Sequence, residues 1–212
     1  LVVCDGMGGA KGGSTASSTA SHAFAEAVEQ GYQKNMKPSE MADLVALAAT
    51  KANAAVYLAA RQDPSLSGMG TTLVLLLAQG MDAIVGNIGD SRAYLIDEEG
   101  MRQVTHDHSL VAEMVRRGEL SSREASRHPN KNVITRALGV ESNVSCDVFP
   151  LSLKKGQYVL LCSDGLTNEV SEPEIYYEVF QSQAPERACD TLIEIARSRG
   201  GHDNITVVLA SF

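Results

Sequence analysis

The stretch Leu1-Val2-Val3-Cys4-Asp5-Gly6-Met7-Gly8-Gly9 is a short apolar run that ends in a carboxylate followed by glycines. Such a run reads as a strand leaving a core. Its glycines permit a sharp turn and bring backbone carbonyls close to whatever the carboxylate holds. The pattern returns in Val159-Leu160-Leu161-Cys162-Ser163-Asp164-Gly165. Val85-Gly86-Asn87-Ile88-Gly89-Asp90-Ser91 offers a third aspartate, and Gly200-Gly201-His202-Asp203-Asn204 a fourth, just ahead of the run 205–209. One Asp-Gly pair alone is more often a turn than a metal site. Four acids at the ends of apolar runs, each beside Gly or Asn, point instead to a common rim. Carboxylates, carbonyls and water are the ligands that hard cations such as Mg²⁺ and Mn²⁺ prefer.

The 212 residues, 44% hydrophobic and 21% charged, suit one large domain with a sizeable core. A net charge of -8, a pI of about 5.1 and the lack of any basic run argue against a nucleic-acid binder. The same acidity repels phosphate, so bound cations would have to invert the sign locally. Cys4, Cys146, Cys162 and Cys189 form no Cys-x-x-Cys pair, and two of them sit inside apolar runs as small hydrophobes. That usage favours a reducing, cytoplasmic compartment over a disulfide framework. No apolar run has the length of a membrane span. Because the chain opens at Leu1, inside an apparent strand, we expect further residues upstream.

Beyond the opening glycines, residues 14–30 read as a helix with Ala16, Ala20, Phe24 and Ala27 on one face, ended by Gly31. A second helix over 39–61, capped by Ser39, buries Leu44, Leu47, Ala48, Ala55, Val56 and Ala59, with Asp43, Lys51 and Asn53 on its polar face. The period then changes. Residues 71–78, 83–86, 92–96 and 101–105 read as strands joined by tight loops, an antiparallel meander. Short helices follow at 110–117 and after Ser121, which has capping-box spacing to Glu124. The irregular stretch 128–139 is a candidate flap. A strand at 159–162, helices beginning at Ser171 and over 186–199, and a last strand at 205–210 complete the chain. Helices in two pairs and strands that are apolar throughout fit two stacked sheets with helices outside.

The motifs Cys4-Asp5-Gly6-Met7-Gly8-Gly9, Gly70-Thr71-Thr72, Gly89-Asp90-Ser91-Arg92, Cys162-Ser163-Asp164-Gly165 and Asp203-Asn204-Ile205-Thr206 occur in that order. Together they resemble the type 2C metal-dependent serine/threonine protein phosphatases of the bacterial branch, over nearly the whole chain. The resemblance implies an α+β fold, a four-layer α-β-β-α sandwich of two mainly antiparallel sheets flanked by helix pairs. It implies one catalytic domain over 1–212, incomplete at its N-terminus, with a flap at about 118–139. It also implies a binuclear Mn²⁺ or Mg²⁺ centre in which Asp5 bridges the metals and positions the water nucleophile. Gly6 would lend a carbonyl, and Asp164 and Asp203 the other core ligands. Asp90, with Asp164, would hold a third cation, and Asn204 would serve structure. Two departures stand out. The family's upstream phosphate-contacting Arg and its Glu-Asp pair fall outside this sequence, and Met7 stands where some members carry a His proposed as general acid.

The implied reaction is hydrolysis of phosphoserine or phosphothreonine on proteins, without a side-chain nucleophile, and no Cys-x5-Arg loop is present. The partners would be phosphoproteins, Ser/Thr kinases or their substrates, met by a monomer with no nucleic acid. The alternatives are a partner-switching phosphatase of sigma-factor regulation and a catalytically weak phosphoprotein-binding pseudophosphatase. Other signals are weaker. His106-Asp107-His108 lacks helical spacing for zinc, and a helix N-terminus explains Asp107. His202 reads as an exposed loop residue, and Arg92 as a partner of Asp90. Arg136 is a candidate for substrate phosphate, with a structural ion pair as the competing reading. The stretch 5–13 is no Walker loop, since it lacks the Gly-Lys-Ser/Thr ending.

Overall fold

The computed structural model describes residues 1–182 and 184–212. In chain order the elements are β1 (Val2–Val3), β2 (Gly6–Met7), α1 (Gly9–Gly31), α2 (Pro38–Gln62), β3 (Gly70–Thr71), β4 (Leu73–Gln79), β5 (Asp82–Ile88), β6 (Arg92–Asp97) and β7 (Gly100–Gln103). They continue with α3 (Leu110–Arg116), α4 (Ser122–Ala125), β8 (Asp147–Ser152), β9 (Tyr158–Cys162), α5 (Asp164–Thr167), α6 (Glu172–Gln181), α7 (Pro185–Ser198) and β10 (Val207–Ser211). The strands form two four-stranded antiparallel sheets, ordered β1-β4-β5-β8 and β10-β9-β6-β7, and the small ribbon β2-β3.

Pleating turns successive side chains to opposite faces. Apolar residues on both faces of one strand therefore demand a layer on each side. Leu73 and Leu75 of β4, with Ile84 and Ile88 of β5, pack under Ala16, Ala20 and Phe24 of α1 and Met41, Val45 and Ala48 of α2. The alternate residues, Val74, Leu76 and Val85, meet Ala93, Leu95, Val159 and Leu161 between the sheets. Tyr94, Ile96, Leu160 and Cys162 face outward again, onto Ile175, Val179, Leu192 and Ala196 of α6 and α7. This is the α-β-β-α sandwich. Each fully buried Leu or Ile contributes about 1.5–3 kcal/mol, so the three layers of contact carry the fold.

Several local readings are corrected. The meander is divided: β4-β5 belongs to one sheet and β6-β7 to the other, and the chain crosses at Gly89-Asp90-Ser91. The strand read over 71–78 breaks at Thr72, so that Gly70–Thr71 pairs with β2 while Leu73–Gln79 pairs with β1 and β5. Helix α2 has its N-cap at Lys37, with Pro38 in its first turn, and Glu40 accepts from the Lys37 N–H at 2.6 Å, which leaves Ser39 inside the helix. Its buried face is also turned. Leu47 is 54% exposed, whereas Asn53 is buried and fully engaged, donating to the Glu141 and Ser142 carbonyls and accepting from the Gly139 N–H. A polar side chain is tolerated inside when each of its groups finds a partner. Helix α1 begins at Gly9, ahead of the expected Ser14, despite the low helix propensity of its glycines. Strand β8 carries Pro150 at a sheet edge and no clean alternation, which is why pattern alone passes over it.

Candidate metal centre

The four acids are delivered by chain ends at one rim of the sandwich. Asp5 follows β1, Asp90 sits where the chain changes sheets, Asp164 opens α5 directly after β9, and Asp203 precedes β10. Hydroxyls fix the backbone at Asp5 and beside the other acids. The Asp5 N–H donates to Thr72 Oγ1 at 3.0 Å, the Thr72 N–H donates back to the Asp5 carbonyl at 2.9 Å, and the Thr71 hydroxyl donates to the same carbonyl at 2.9 Å. Thr72 Oγ1 also lies 2.7 Å from Ser91 Oγ, which joins the Asp5 strand to the Asp90 turn. In the second sheet Ser163 does similar work. Its hydroxyl donates to the Asn204 carbonyl at 2.9 Å and accepts from the Thr206 N–H at 3.0 Å.

Glycines sit where two backbones must touch. A Cβ on Gly6 would collide with the Gly13 carbonyl in the first turns of α1. One on Gly165 would collide with the Asn204 carbonyl, so the Asp164 and Asp203 loops can close on each other only because that position is bare.

Bringing these carboxylates together is costly. Burial, then the charges of Asp164 and Asp203, push Asp5 up to about 7. Burial, then Asp164, Asp107 and Asp5, push Asp90 up to about 7 as well. Asp164 is raised by burial and by Asp203, against a hydrogen bond from Asn168 that lowers it. Half-buried acids that mutually raise their pKa values form a donor set waiting for positive charge. Among the described residues no three His, Cys, Asp or Glu side chains close on one point tightly enough to hold an ion alone. Such a spread set fits small hard cations, which retain several waters and use one or two carboxylates each, better than it fits a closed structural site.

Asp90 and Asp164 line a cleft of about 680 Å³ that runs under α3 and α4, with Arg116, Lys131 and Asn168 also on its wall. Lys131 Nζ donates to Asn168 Oδ1 at 3.2 Å, and Asn168 Nδ2 donates to Asp164 Oδ2 at 3.0 Å. A chain of contacts therefore runs from the segment over the cleft to one of the acids. That segment is anchored where it returns. Ile134 pairs with Ser109, and Leu138 exchanges backbone hydrogen bonds with Thr71 at 3.1 and 2.9 Å.

The remaining singled-out residues fall as follows. Arg92 pairs bidentately with Asp107, at 2.7–3.0 Å, rather than with Asp90. Asp107 therefore answers to Arg92, and the cap of α3 is Ser109, whose hydroxyl accepts from the Ala112 N–H. Arg136 donates to Asp147 Oδ1 at 2.6 Å and to the Ser145 carbonyl at 3.1 Å. It lines a separate hollow of about 290 Å³ with Met7 and Val140. His202 is exposed and bonded to Glu169 at 3.0 Å. Thr72, Ser163, Asn168 and His108 were not read from the sequence as site residues. Three of these lie inside the quoted motifs or within four residues of one of their acids, which is the signal that could have found them.

Residues 1–197 match the protein phosphatase 2C family. The chain belongs to that family. A serine/threonine phosphatase, stp, of Listeria innocua is 39% identical over 209 residues, 99% of this chain and 82% of its own length. The protein phosphatase PhpP of Streptococcus pneumoniae is 44% identical over 151 residues, 71% of this chain and 61% of its own. The crystal structure of the serine/threonine phosphatase Stp1 from Staphylococcus aureus superposes with a TM-score of 0.93 at 34% identity, over all of this chain and 83% of that one. The catalytic domain of the phosphatase PstP, solved with two manganese ions, gives 0.85 at 33% identity, over 100% and 86%. Relatedness of this extent makes the protein an enzyme of the serine/threonine phosphatase class. No helix among the described residues is long and apolar enough to cross a membrane.

Proposed function

We propose that this phosphatase domain hydrolyses phosphoserine and phosphothreonine on proteins at a binuclear Mn²⁺ or Mg²⁺ centre held by Asp5, Gly6, Asp164 and Asp203. The observation that carries the proposal is the convergence of Asp5, Asp164 and Asp203 from three separate strand ends, close enough that Asp164 and Asp203 raise Asp5 and Asp203 raises Asp164. Asp5 and the Gly6 carbonyl would hold the pair with Asp164 and Asp203, and Asp90 with Asp164 would hold a third ion. A divalent pair bound there lowers the pKa of water towards neutrality and offsets charge on the phosphoryl oxygens. The chain's own residues do the rest. Thr71 and Thr72 hold the Asp5 backbone in place, and Ser163 holds the Asp203 loop against that of Asp164.

Arg116 and Lys131 give the cleft wall two cationic side chains for a phosphoprotein. We assign Arg136 to the architecture, since Asp147 already engages its guanidinium. Met7 cannot donate a proton, so a water at the centre would have to serve the serine or threonine leaving group. The enzyme would act as a monomer, with the segment 118–139 as its flap. We place the enzyme in the cytoplasm, where ATP-dependent kinases generate such substrates.

Phosphopeptide hydrolysis by the full-length protein, with and without Mn²⁺, tests this. Turnover is expected to need Mn²⁺ and to stop with EDTA. Asp5→Asn is expected to lower kcat by at least about 10²–10³-fold, the usual cost of removing one group that organises transition-state charge. Turnover that survives EDTA would overturn the proposal.

A further inference from the structure

We infer that His108 is a positioning residue for Asp90: its ring holds the Gly89 turn from which Asp90 is presented and ties that turn to the returning end of the flap. The inference rests on the reading of Asp90 as a ligand of a divalent cation. His108 is 5% exposed, and it grips Gly89 twice. Its backbone N–H donates to the Gly89 carbonyl at 3.0 Å, and its Nδ1 lies 3.0 Å from the Gly89 nitrogen. An N–H aimed at Nδ1 requires that nitrogen to be the acceptor, so the ring proton sits on Nε2, 3.1 Å from Asp147 Oδ2. Burial, the largest influence, lowers the His108 pKa and agrees with a neutral ring.

Two further bonds extend the link. Asp147 Oδ1 accepts from Arg136 at 2.6 Å, and the Thr135 N–H donates to the His108 carbonyl at 2.8 Å. A contact made only for packing would not need both ring nitrogens. Here each has a separate polar partner. Nδ1 faces the turn that ends in Asp90, and Nε2 faces the β8 carboxylate that also holds the flap's Arg136. The two substitutions His108→Asn and His108→Gln separate these duties. The Asn amide oxygen occupies the place of Nδ1 and can still accept from Gly89, while the Gln amide reaches the place of Nε2 and can still donate to Asp147.

The experiment is calorimetric Mn²⁺ titration of the full-length protein, its two His108 variants and Asp90→Asn, with phosphopeptide turnover measured against Mn²⁺ concentration. His108→Gln is expected to weaken the same Mn²⁺ event that Asp90→Asn removes, by about 10–100-fold, the usual effect of losing a group that orients a ligand. His108→Asn is expected to remain within about threefold of the parent, well inside that range. If Asp90→Asn removes an event while Gln and Asn behave alike, the inference alone fails. If Asp90→Asn removes none, the ligand reading of Asp90 fails and takes the inference with it. Should both variants misfold, ¹⁵N-histidine spectra of the parent protein decide. An unprotonated Nδ1 that shifts as Mg²⁺ is added supports the link, and a protonated Nδ1 or an unmoved signal overturns it.

Discussion

The two sheets bring their acids to the same rim by different means. On the first, Asp5 and Asp90 are fixed by a web of hydroxyls from Thr71, Thr72 and Ser91, and both acids are half-buried. On the second, Asp164 is held within its own short helix by Thr167 and Asn168, and the Asp203 loop is tied to it through the Ser163 hydroxyl and the bare contact between Gly165 and the Asn204 carbonyl. Asp203 itself is exposed. The first half is thus a preformed cradle that tolerates desolvated charge. The second is a pair of loops pressed together at one point. A centre built this way has one side that fixes the geometry and another that can yield to it.

The sharpest way to break this contrast is to insert the same methyl group on each side. Gly6 faces the Gly13 backbone within α1, and Gly165 faces Asn204 on an exposed loop. Overpacking a rigid contact costs about 1–3 kcal/mol or more, and less where the neighbour can move. Gly6→Ala is therefore expected near or above the top of that range in urea unfolding, and Gly165→Ala near the bottom. Gly165→Ala should nonetheless weaken Mn²⁺ binding, because the yielding loop carries Asp203 with it. Equal losses of stability would show that both halves are equally stiff.

A smaller effect is expected from the hydroxyls. Thr72→Val keeps the shape but strips a partner from the Asp5 N–H and from Ser91, whereas Ser163→Ala strips one from Asn204 and Thr206. Leaving buried polar groups unpaired costs about 1–3 kcal/mol in either case. The stability changes should therefore be similar while the metal binding differs. Thr72→Val is expected to disturb Mn²⁺ at Asp5 and Asp90 together, and Ser163→Ala only at Asp203. Titrations in which both variants lose the same events would remove the distinction between the halves.

Much of this architecture is legible in the sequence because it follows from pleating. Runs such as 73–76 and 159–162 are apolar on both faces, and only a layer on each side can cover them. The acids are legible because each interrupts such a run beside a glycine or asparagine. What escaped is what tertiary contacts decide. Leu47 lies outside and Asn53 inside because the backbone of 139–142 meets α2 at Asn53, and helical periodicity carries no information about that meeting. The change of sheet at Gly89-Asp90-Ser91 looks locally like any hairpin turn. His108 was weighed only as a zinc ligand, and its actual role escaped for the same reason: its partners, Gly89 and Asp147, lie 19 and 39 residues away.

The least of the expected effects, and the one that reads the cradle's cost directly, is the response to pH. Burial and neighbouring carboxylates raise Asp5 and Asp90 to about 7 in the fold, against about 3.9 for an unfolded aspartate. Between those values the folded, metal-free chain holds protons that the unfolded chain has released. Stability from these two groups is therefore present below the unfolded value and is lost as pH rises through about 7. Divalent ions bind the ionised acids, so they act in the opposite sense. Below about 7, Mn²⁺ must displace a proton from each raised carboxyl it uses, and affinity falls about tenfold per pH unit for each such proton. Calorimetry at pH 6 in two buffers of different ionisation enthalpy counts those protons. Asp90→Asn should reduce the count, since one of the raised acids is gone. A count near zero in the parent protein would mean that the acids of the first sheet are already ionised, and that their burial is no costlier than the exposure of Asp203 on the second.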